Sequence, residues 1–200
     1  MEIKNITDFK SNKKKIEAED VTFALYKSDI SKYDIKLGEM PEEVFEEIFL
    51  EILPKRALDR SLKIITGRDM TEGMIRDKLR EDLYPSEIID SVIEKLKQER
   101  LINDERFIRG FIEGKSSKKS KRDIMIALSS KKADMNLAER IYAELSEEGS
   151  LSDENELIIK LLEKRHYDFE NADFEEKQKQ IRYLLGKGFS YDSIHSALKD

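Results

Sequence analysis

The chain has 200 residues, a formal net charge of −6 and no cysteine. That length allows one or two domains with a real core, and the lack of thiols excludes disulfides, thiol catalysis and cysteine-ligated zinc. Charged residues make up 40% and apolar residues 38%, but the regular spacing of Leu and Ile argues against global disorder.

Three prolines and eight glycines favour long helices. No apolar run approaches the roughly 20 residues needed to span a bilayer. The start, MEIKNITDFK, lacks the apolar stretch of a signal peptide. A cytoplasmic protein with no membrane contact is expected.

Residues 1–40 read as a small antiparallel β-rich element. Val21, Phe23 and Leu25 alternate as in a half-buried strand, and Tyr33, Ile35 and Leu37 repeat the pattern. Ile3, Ile6 and Phe9 form an earlier apolar run, while Ser11-Asn12, Glu19-Asp20 and Ser28-Asp29 supply turn chemistry. Three or four short strands are marginal alone, so they should lean on the helical part of the chain. Gly38 and Pro41 mark the boundary.

Residues 41–54 read as a linker helix. Pro41 suits its first turn, with Glu42 and Glu43 beside the positive end of the dipole. Val44, Phe45, Ile48, Phe49 and Ile52 form its apolar stripe, and Pro54 is expected to end or kink it.

The remainder carries an internal repeat. Leu79, Leu128 and Leu184 correspond, as do Tyr84, Ala133 and Phe189; Ile89, Ala138 and Ile194; and Val92, Ile141 and Ala197. The offset is 49 from the first copy to the second and 56 from the second to the third. The seven extra residues belong near RHYDFENADFEEK. Three three-helix repeats are expected, at 55–101, 102–150 and 151–200. Their helices fall at about 55–66, 71–82 and 85–99, then 103–114, 119–131 and 134–147, then 152–165, 173–187 and 190–199. Thr71, Asp134 and Ser190 stand at N-cap positions, and Gly188 where a helix end favours glycine. The fold class is mainly α, a tandem array of three such repeats whose stacking buries the apolar faces.

No phosphate-binding loop, dinucleotide fingerprint or metal-ligand spacing occurs. His166 and His195 read as ordinary helix-surface or boundary residues, Gly186-x-Gly188 as a turn, and Gly110-x-x-x-Gly114 as a fraying helix end. No catalytic residue, metal or cofactor is indicated.

One stretch runs against the overall charge. Between Lys95 and Lys132 there are twelve Lys or Arg and five Asp or Glu. Lys115, Lys118, Lys119, Lys121 and Arg122 concentrate at the junction of two repeats, with Ser116, Ser117 and Ser120 among them suggesting a mobile loop. Such a cluster is either a solvated loop or an anion-facing surface. No exposed aromatic is interleaved there, since Phe107 and Phe111 have core spacing, so base stacking is not indicated.

Several of these stretches resemble the RecX family, the regulators of the bacterial recombinase RecA. The likeness rests on Arg68-Asp69-x-Thr71 followed by Ile75-Arg76-x-Lys78-Leu79, and on Leu101 through Phe107. It continues in Lys115 through Ile124 with Leu128, and in Leu184-x-x-Lys187-Gly188-Phe189. It covers about Leu58 to Leu198, and the strand-rich start resembles the longer Firmicutes-type form. Leu83 and Lys132 depart from the family's usual glycines, and Asn103 from its first acid.

The resemblance implies a non-enzymatic modulator, an inhibitor by expectation. It would bind the RecA filament on single-stranded DNA and limit its growth or promote its disassembly, so regulating recombination, DNA repair and the SOS response. A monomer is expected. Lys115, Lys118, Lys119, Lys121 and Arg122 would face the filament, with Arg109, Arg68 and Arg76 as further candidates. The alternative is direct binding of single-stranded or duplex DNA through the basic central loop.

Overall fold

A computed structural model of the chain describes residues 1–198. It divides into two compact units, Met1–Asn103 and Asp104–Asp200.

The first unit opens with strands β1 (Glu2–Phe9), β2 (Lys13–Ala18) and β3 (Val21–Tyr26), and a short β4 (Gly38–Glu39). They pair antiparallel in the order β3-β2-β1-β4. In the row Ile6–Ile16–Phe23 the apolar side chains face the core. The row Phe9–Lys13–Tyr26 lies three residues along each strand, with Lys13 5.1 Å from the ring centre of Tyr84 of the first repeat. The Phe23 ring meets Phe49 edge-on at 5.2 Å between centroids. Ile3, Ile16, Phe23 and Leu25 thus share one core with Ile75, Leu79, Ile89 and Leu96 of the first repeat.

Two local expectations fail in the sheet region. Residues Tyr33 to Leu37 do not form a strand, and Ser28-Asp29 is not a turn: α1 (Lys27–Lys32) occupies this stretch. Asp34 takes a left-handed φ of 49°, and the Ile35 N–H returns to the Ile30 carbonyl at 3.0 Å. Ile35 is buried because it closes a helix, and Leu37 is exposed. Three alternating residues are too few to separate a strand from a helix end.

Pro54 neither ends nor breaks the helix. α2 (Glu42–Glu47) runs through a π-helical stretch, Ile48–Ile52, into α3 (Leu53–Ile65). The wider turns make room for the proline ring, whose clash would be with the carbonyl of Leu50. Leu50 is solvent-exposed, so its carbonyl is placed to turn to water. On α3 the fully buried line is Ala57 and Ser61, with the Ser61 hydroxyl donating to the Ala57 carbonyl at 2.8 Å. Leu58 and Leu62 flank it half-buried.

α4 (Glu72–Glu81) and α5 (Ser86–Gln98) complete the first repeat. The second unit holds the other two: α6 (Asp104–Ser116), α7 (Lys121–Ser130) and α8 (Met135–Glu147), then α9 (Glu154–Glu163), α10 (Phe174–Gly186) and α11 (Tyr191–Leu198). All twelve residues matched by the repeat are buried. The longer third copy carries its extra length between α9 and α10. α6 does not fray at Gly110 or Gly114; it runs past both to Ser116, and both glycines face open space.

The repeats agree down to individual hydrogen bonds. After α4, α7 and α10 the N–H groups of Tyr84, Ala133 and Phe189 return to the carbonyls of Leu79, Leu128 and Leu184, at 3.1, 3.2 and 3.2 Å. The residue before each, Leu83, Lys132 or Gly188, has a positive φ of 59°, 55° or 84°. This is the Schellman closure, which satisfies carbonyls that a helix end leaves orphaned. Helices α4, α8 and α11 start on side-chain caps where expected: Thr71 accepts from the Met74 N–H at 3.1 Å, Asp134 from Asn136 at 2.8 Å and Ser190 from Ser193 at 3.0 Å.

One ionic cluster fastens the sheet to the first repeat. Asp82, 5% exposed, follows α4 and accepts from Lys10 of the β1–β2 turn and from Arg60 of α3, the latter at 2.6 Å. A carboxylate at a helix C-terminus opposes the dipole, so these cations account for its placement. Burial works against its charge, but the hydrogen bonds from Lys10 and Arg60 outweigh this and hold its pKa below the ordinary 3.8.

Lys132→Gly should stabilise the protein by about 0.5–1 kcal/mol, as an exposed non-glycine residue leaves a left-handed backbone; equilibrium urea unfolding measures this. Gly188→Ala should instead cost about 2 kcal/mol or more, since an added Cβ would lie 2.8 Å from the Ser120 hydroxyl at a φ of +84°.

Asp82→Asn should cost about 2–3 kcal/mol at neutral pH, less than a fully buried pair because both cations reach solvent. A depressed folded-state pKa stabilises above the unfolded value and loses that contribution as pH falls through the folded one. The gap between wild type and Asp82→Asn should therefore shrink as pH falls below about 4. A gap that stays constant from neutral pH to pH ~2 would show that Asp82 acts without its charge.

Candidate functional site

The central basic stretch is a short, anchored turn. α6 ends at Lys115 and Ser116, α7 begins at Lys121, and Ser117 to Ser120 join them. The N–H groups of Lys118 and Lys119 both return to the Lys115 carbonyl, at 2.9 and 3.0 Å. Ser116 and Ser120 are buried at the two ends. Ser116 and Ser120 therefore anchor the two ends of the turn, while Ser117 is exposed.

Ser120 carries two duties. Its hydroxyl oxygen accepts from the Asp123 N–H at 3.3 Å, capping α7, and its O–H donates to the Lys187 carbonyl at 2.8 Å. This contact seats the basic turn of the second repeat on the α10–α11 turn of the third. The fit is close: a Cβ at position 188 would meet Arg122 Cβ and Cδ at 3.1 and 3.2 Å.

The cations read from the sequence divide by what already holds them. Arg109 spans Glu144 of α8 and Glu148 just after it, at 3.1 and 3.2 Å. Arg76 is half-buried between Glu72, at 2.7 Å, and Asp90. Burial works against its charge, but the hydrogen bonds it donates to these carboxylates outweigh that and raise its pKa. Lys121 pairs with Glu139 at 2.7 Å and lies 5.0 Å from the Tyr142 ring centre.

Lys115, Lys118, Lys119 and Arg122 are exposed, and among the described residues none has a carboxylate within 4.0 Å. Arg68, in the α3–α4 connection of the first unit, is likewise exposed and without an ion pair.

The fold adds Lys187, which the repeat pattern did not single out. It is exposed, and its carbonyl receives Ser120, so it borders the basic turn. The clue in the sequence was the glycine beside it, which reads as a helix stop but not as a contact. Next to this edge, Arg122, Met125, Ile126, Glu139, Glu154 and Phe189 line a cleft of about 610 Å³ between the second and third repeats. Its floor is apolar and Ile126 is 54% exposed. Tyr142 is half-buried nearby; burial, then Glu154 and Glu139, push its pKa up.

No three His, Cys, Asp or Glu side chains are grouped to hold a metal among the described residues. No helix among them is long and apolar enough to cross a membrane. The surface is thus built of unneutralised cations beside an apolar cleft, an arrangement suited to holding an anionic partner.

Comparison with known proteins places these features in a family. Residues 57–96 match the first three-helix domain of RecX, and residues 152–198 match the third. Regulatory protein RecX of Finegoldia magna is 32% identical over 197 residues, spanning 92% of this chain and 93% of that protein. Regulatory protein RecX of Clostridium perfringens (strain SM101) is 29% identical over 179 residues, spanning 88% of this chain and 80% of that one. The crystal structure of RecX from Lactobacillus salivarius superposes with a TM-score of 0.63 at 25% identity, covering 74% of this chain and 95% of its own. A second crystal structure, titled regulatory protein RecX, covers all of this chain at a TM-score of 0.63 and 23% identity, a likeness of fold. Three-helix units of matching order, and a relative of this identity over almost the full length of both chains, make the chain a member of the RecX family of regulatory proteins.

Proposed function

We propose that the chain regulates RecA without enzymatic activity, binding the RecA filament on single-stranded DNA and limiting its growth or promoting its disassembly. Family membership supports the partner. The observation that carries the choice of surface is the group of cations in the second unit with no carboxylate to neutralise them. In a chain of net charge −6, such a group attracts an acidic partner surface while the rest of the body repels bare phosphate.

On this reading Lys115, Lys118, Lys119 and Arg122 make the primary contact, with Lys187 at its edge and Arg68 as a separate contact. Lys121, Arg109 and Arg76 serve first as internal ties, because breaking their pairs to reach a partner costs part of what is gained. A protein acting on RecA works in the cytoplasm, in agreement with the composition. A second reading, direct DNA binding through the same turn, draws on the same cations.

DNA-dependent RecA ATPase, titrated with the protein, tests the proposal. Lys115→Glu/Lys118→Glu/Lys119→Glu should need at least about tenfold more protein for the same inhibition, three reversed contacts being worth upwards of 1.4 kcal/mol together. Equal inhibition by this variant and wild type at matched salt would make the turn solvated surface. Direct DNA binding is distinguished without RecA: affinity should then fall with salt at a log–log slope of about −0.9 per phosphate contact on duplex, and the triple variant should flatten that slope.

A further inference from the structure

The other place where positive charge gathers is the first unit, and it has a different character. Lys13, in the middle strand of the β1–β2–β3 sheet, is 5% exposed. Buried lysines are rare unless paired. Among the described residues, no carboxylate lies within 4.0 Å of its ammonium and no acceptor within hydrogen-bond distance. Its ammonium is held by aromatic faces instead, 4.9 Å from the Tyr26 ring centre and 5.1 Å from that of Tyr84. The stem is buried but the ammonium still reaches solvent, so its donors meet no protein acceptor and stay open to an incoming one.

More cations surround it. Lys10 and Arg60 share Asp82, and Arg56 donates to Asp29 at 2.9 Å while lying 4.9 Å from the Tyr26 ring centre. Lys10, Arg56 and Arg60 keep 46%, 40% and 39% of their side chains open to solvent, so an incoming group can reach them. Four cations therefore face Asp29 and Asp82, with Asp59 further off beside Arg56. Burial, then the neighbouring Lys10, Arg60 and Arg56, push the Lys13 pKa down against the pull of Asp82. An added anion would reverse that balance.

Phe9 stands directly across from Lys13 on β1 and Tyr26 across from it on β3, so the row reads aromatic, lysine, aromatic. Phe9 is half-buried, lies outside the apolar cores, and has Lys10 at 5.1 Å from its ring centre. Cations alternating with aromatics along one row is the pattern that takes a phosphate and its base together.

We infer that this row is a nucleotide site, in which Lys13 with Lys10, Arg56 and Arg60 receives a phosphate group and Phe9 offers a face to the base. The same chemistry is presented by a free nucleotide and by a nucleotide within a single strand. The site lies on the sheet that precedes the repeats.

Isothermal titration of the full chain at low ionic strength, with pyrophosphate, with ADP and with a short oligothymidylate, tests this in the absence of RecA. At least one probe should bind. Lys13→Met should weaken that binding tenfold or more while the protein melts at the same or a higher temperature, since an unpaired buried cation gives way to an apolar side chain. For oligothymidylate it should also flatten the salt slope by about 0.7. Phe9→Ala should weaken ADP or oligothymidylate and leave pyrophosphate unchanged. In the wild-type chain, NMR titration of the Lys13 side chain should show its pKa rising when the bound probe is present, a readout that does not depend on a variant folding.

Tighter binding of oligothymidylate than of ADP assigns the site to a strand, and the converse to a free nucleotide. Binding of no probe, equal binding by wild type and Lys13→Met, or an unmoved Lys13 pKa overturns the site. An unchanged Phe9→Ala overturns its assignment to a nucleotide.

Discussion

Helix termination is the constraint on which this fold rests. A chain of short helices must dispose of four unpaired carbonyls at each C-terminus. Here a backbone bond from the sixth residue to the first closes α1, α4, α5, α7, α8, α9 and α10, through Ile35, Tyr84, Leu101, Ala133, Ser150, Tyr167 and Phe189. Each closure needs one residue at positive φ, supplied in turn by Asp34, Leu83, Arg100, Lys132, Gly149, His166 and Gly188. Five of these seven are not glycine, and each such position carries a steric cost of about 1–2 kcal/mol. That cost is offset because the closure reverses the chain within two residues. In each repeat it also delivers an apolar residue, Tyr84, Ala133 or Phe189, into the core.

This explains how the sequence could be read well in one respect and poorly in another. The helical repeat was legible because buried positions recur at constant offsets, and Leu79, Leu128 and Leu184 with their followers are buried as that recurrence requires. Helix starts were legible because capping by Thr71, Asp134 and Ser190 is local side-chain chemistry. Helix ends in the repeats were legible from the same recurrence, expected near 82, 131 and 187 and found at Glu81, Ser130 and Gly186; the left-handed closure by Leu, Arg, Lys or His was not, since it leaves no compositional trace. Asp34 shows the consequence: it stops α1, and the alternation around Ile35 then mimics a strand. Pro54 misleads for a similar reason, because a π-helical turn absorbs the proline and its widening has no residue signature.

The candidate surface was legible as a concentration of charge but not as a set of contacts. Sequence shows which side chains are cationic; the fold decides which are already neutralised. Arg109, Arg76 and Lys121 are tied to carboxylates, while Lys115, Lys118 and Lys119 have none within 4.0 Å among the described residues. Lys187 joins them only because α10 ends where it does. In the first unit the same sorting leaves Lys13 without a carboxylate, within a cluster whose other members hold the sheet in place.

The Ser120–Gly188 contact has a bearing on how the three repeats can be compared. Positions 83 and 132 carry side chains at positive φ, but position 188 has Ser120 and Arg122 pressed against it, so it has no room for one. The copies are therefore equivalent in their backbone closures and inequivalent in what surrounds them. A sequence that gave every copy the leucine or the lysine of another repeat would place that side chain at this junction. Each copy would keep its helices, yet the neighbouring basic turn would be pushed off its seat, so in this protein the array is encoded in the differences between repeats as much as in their likeness.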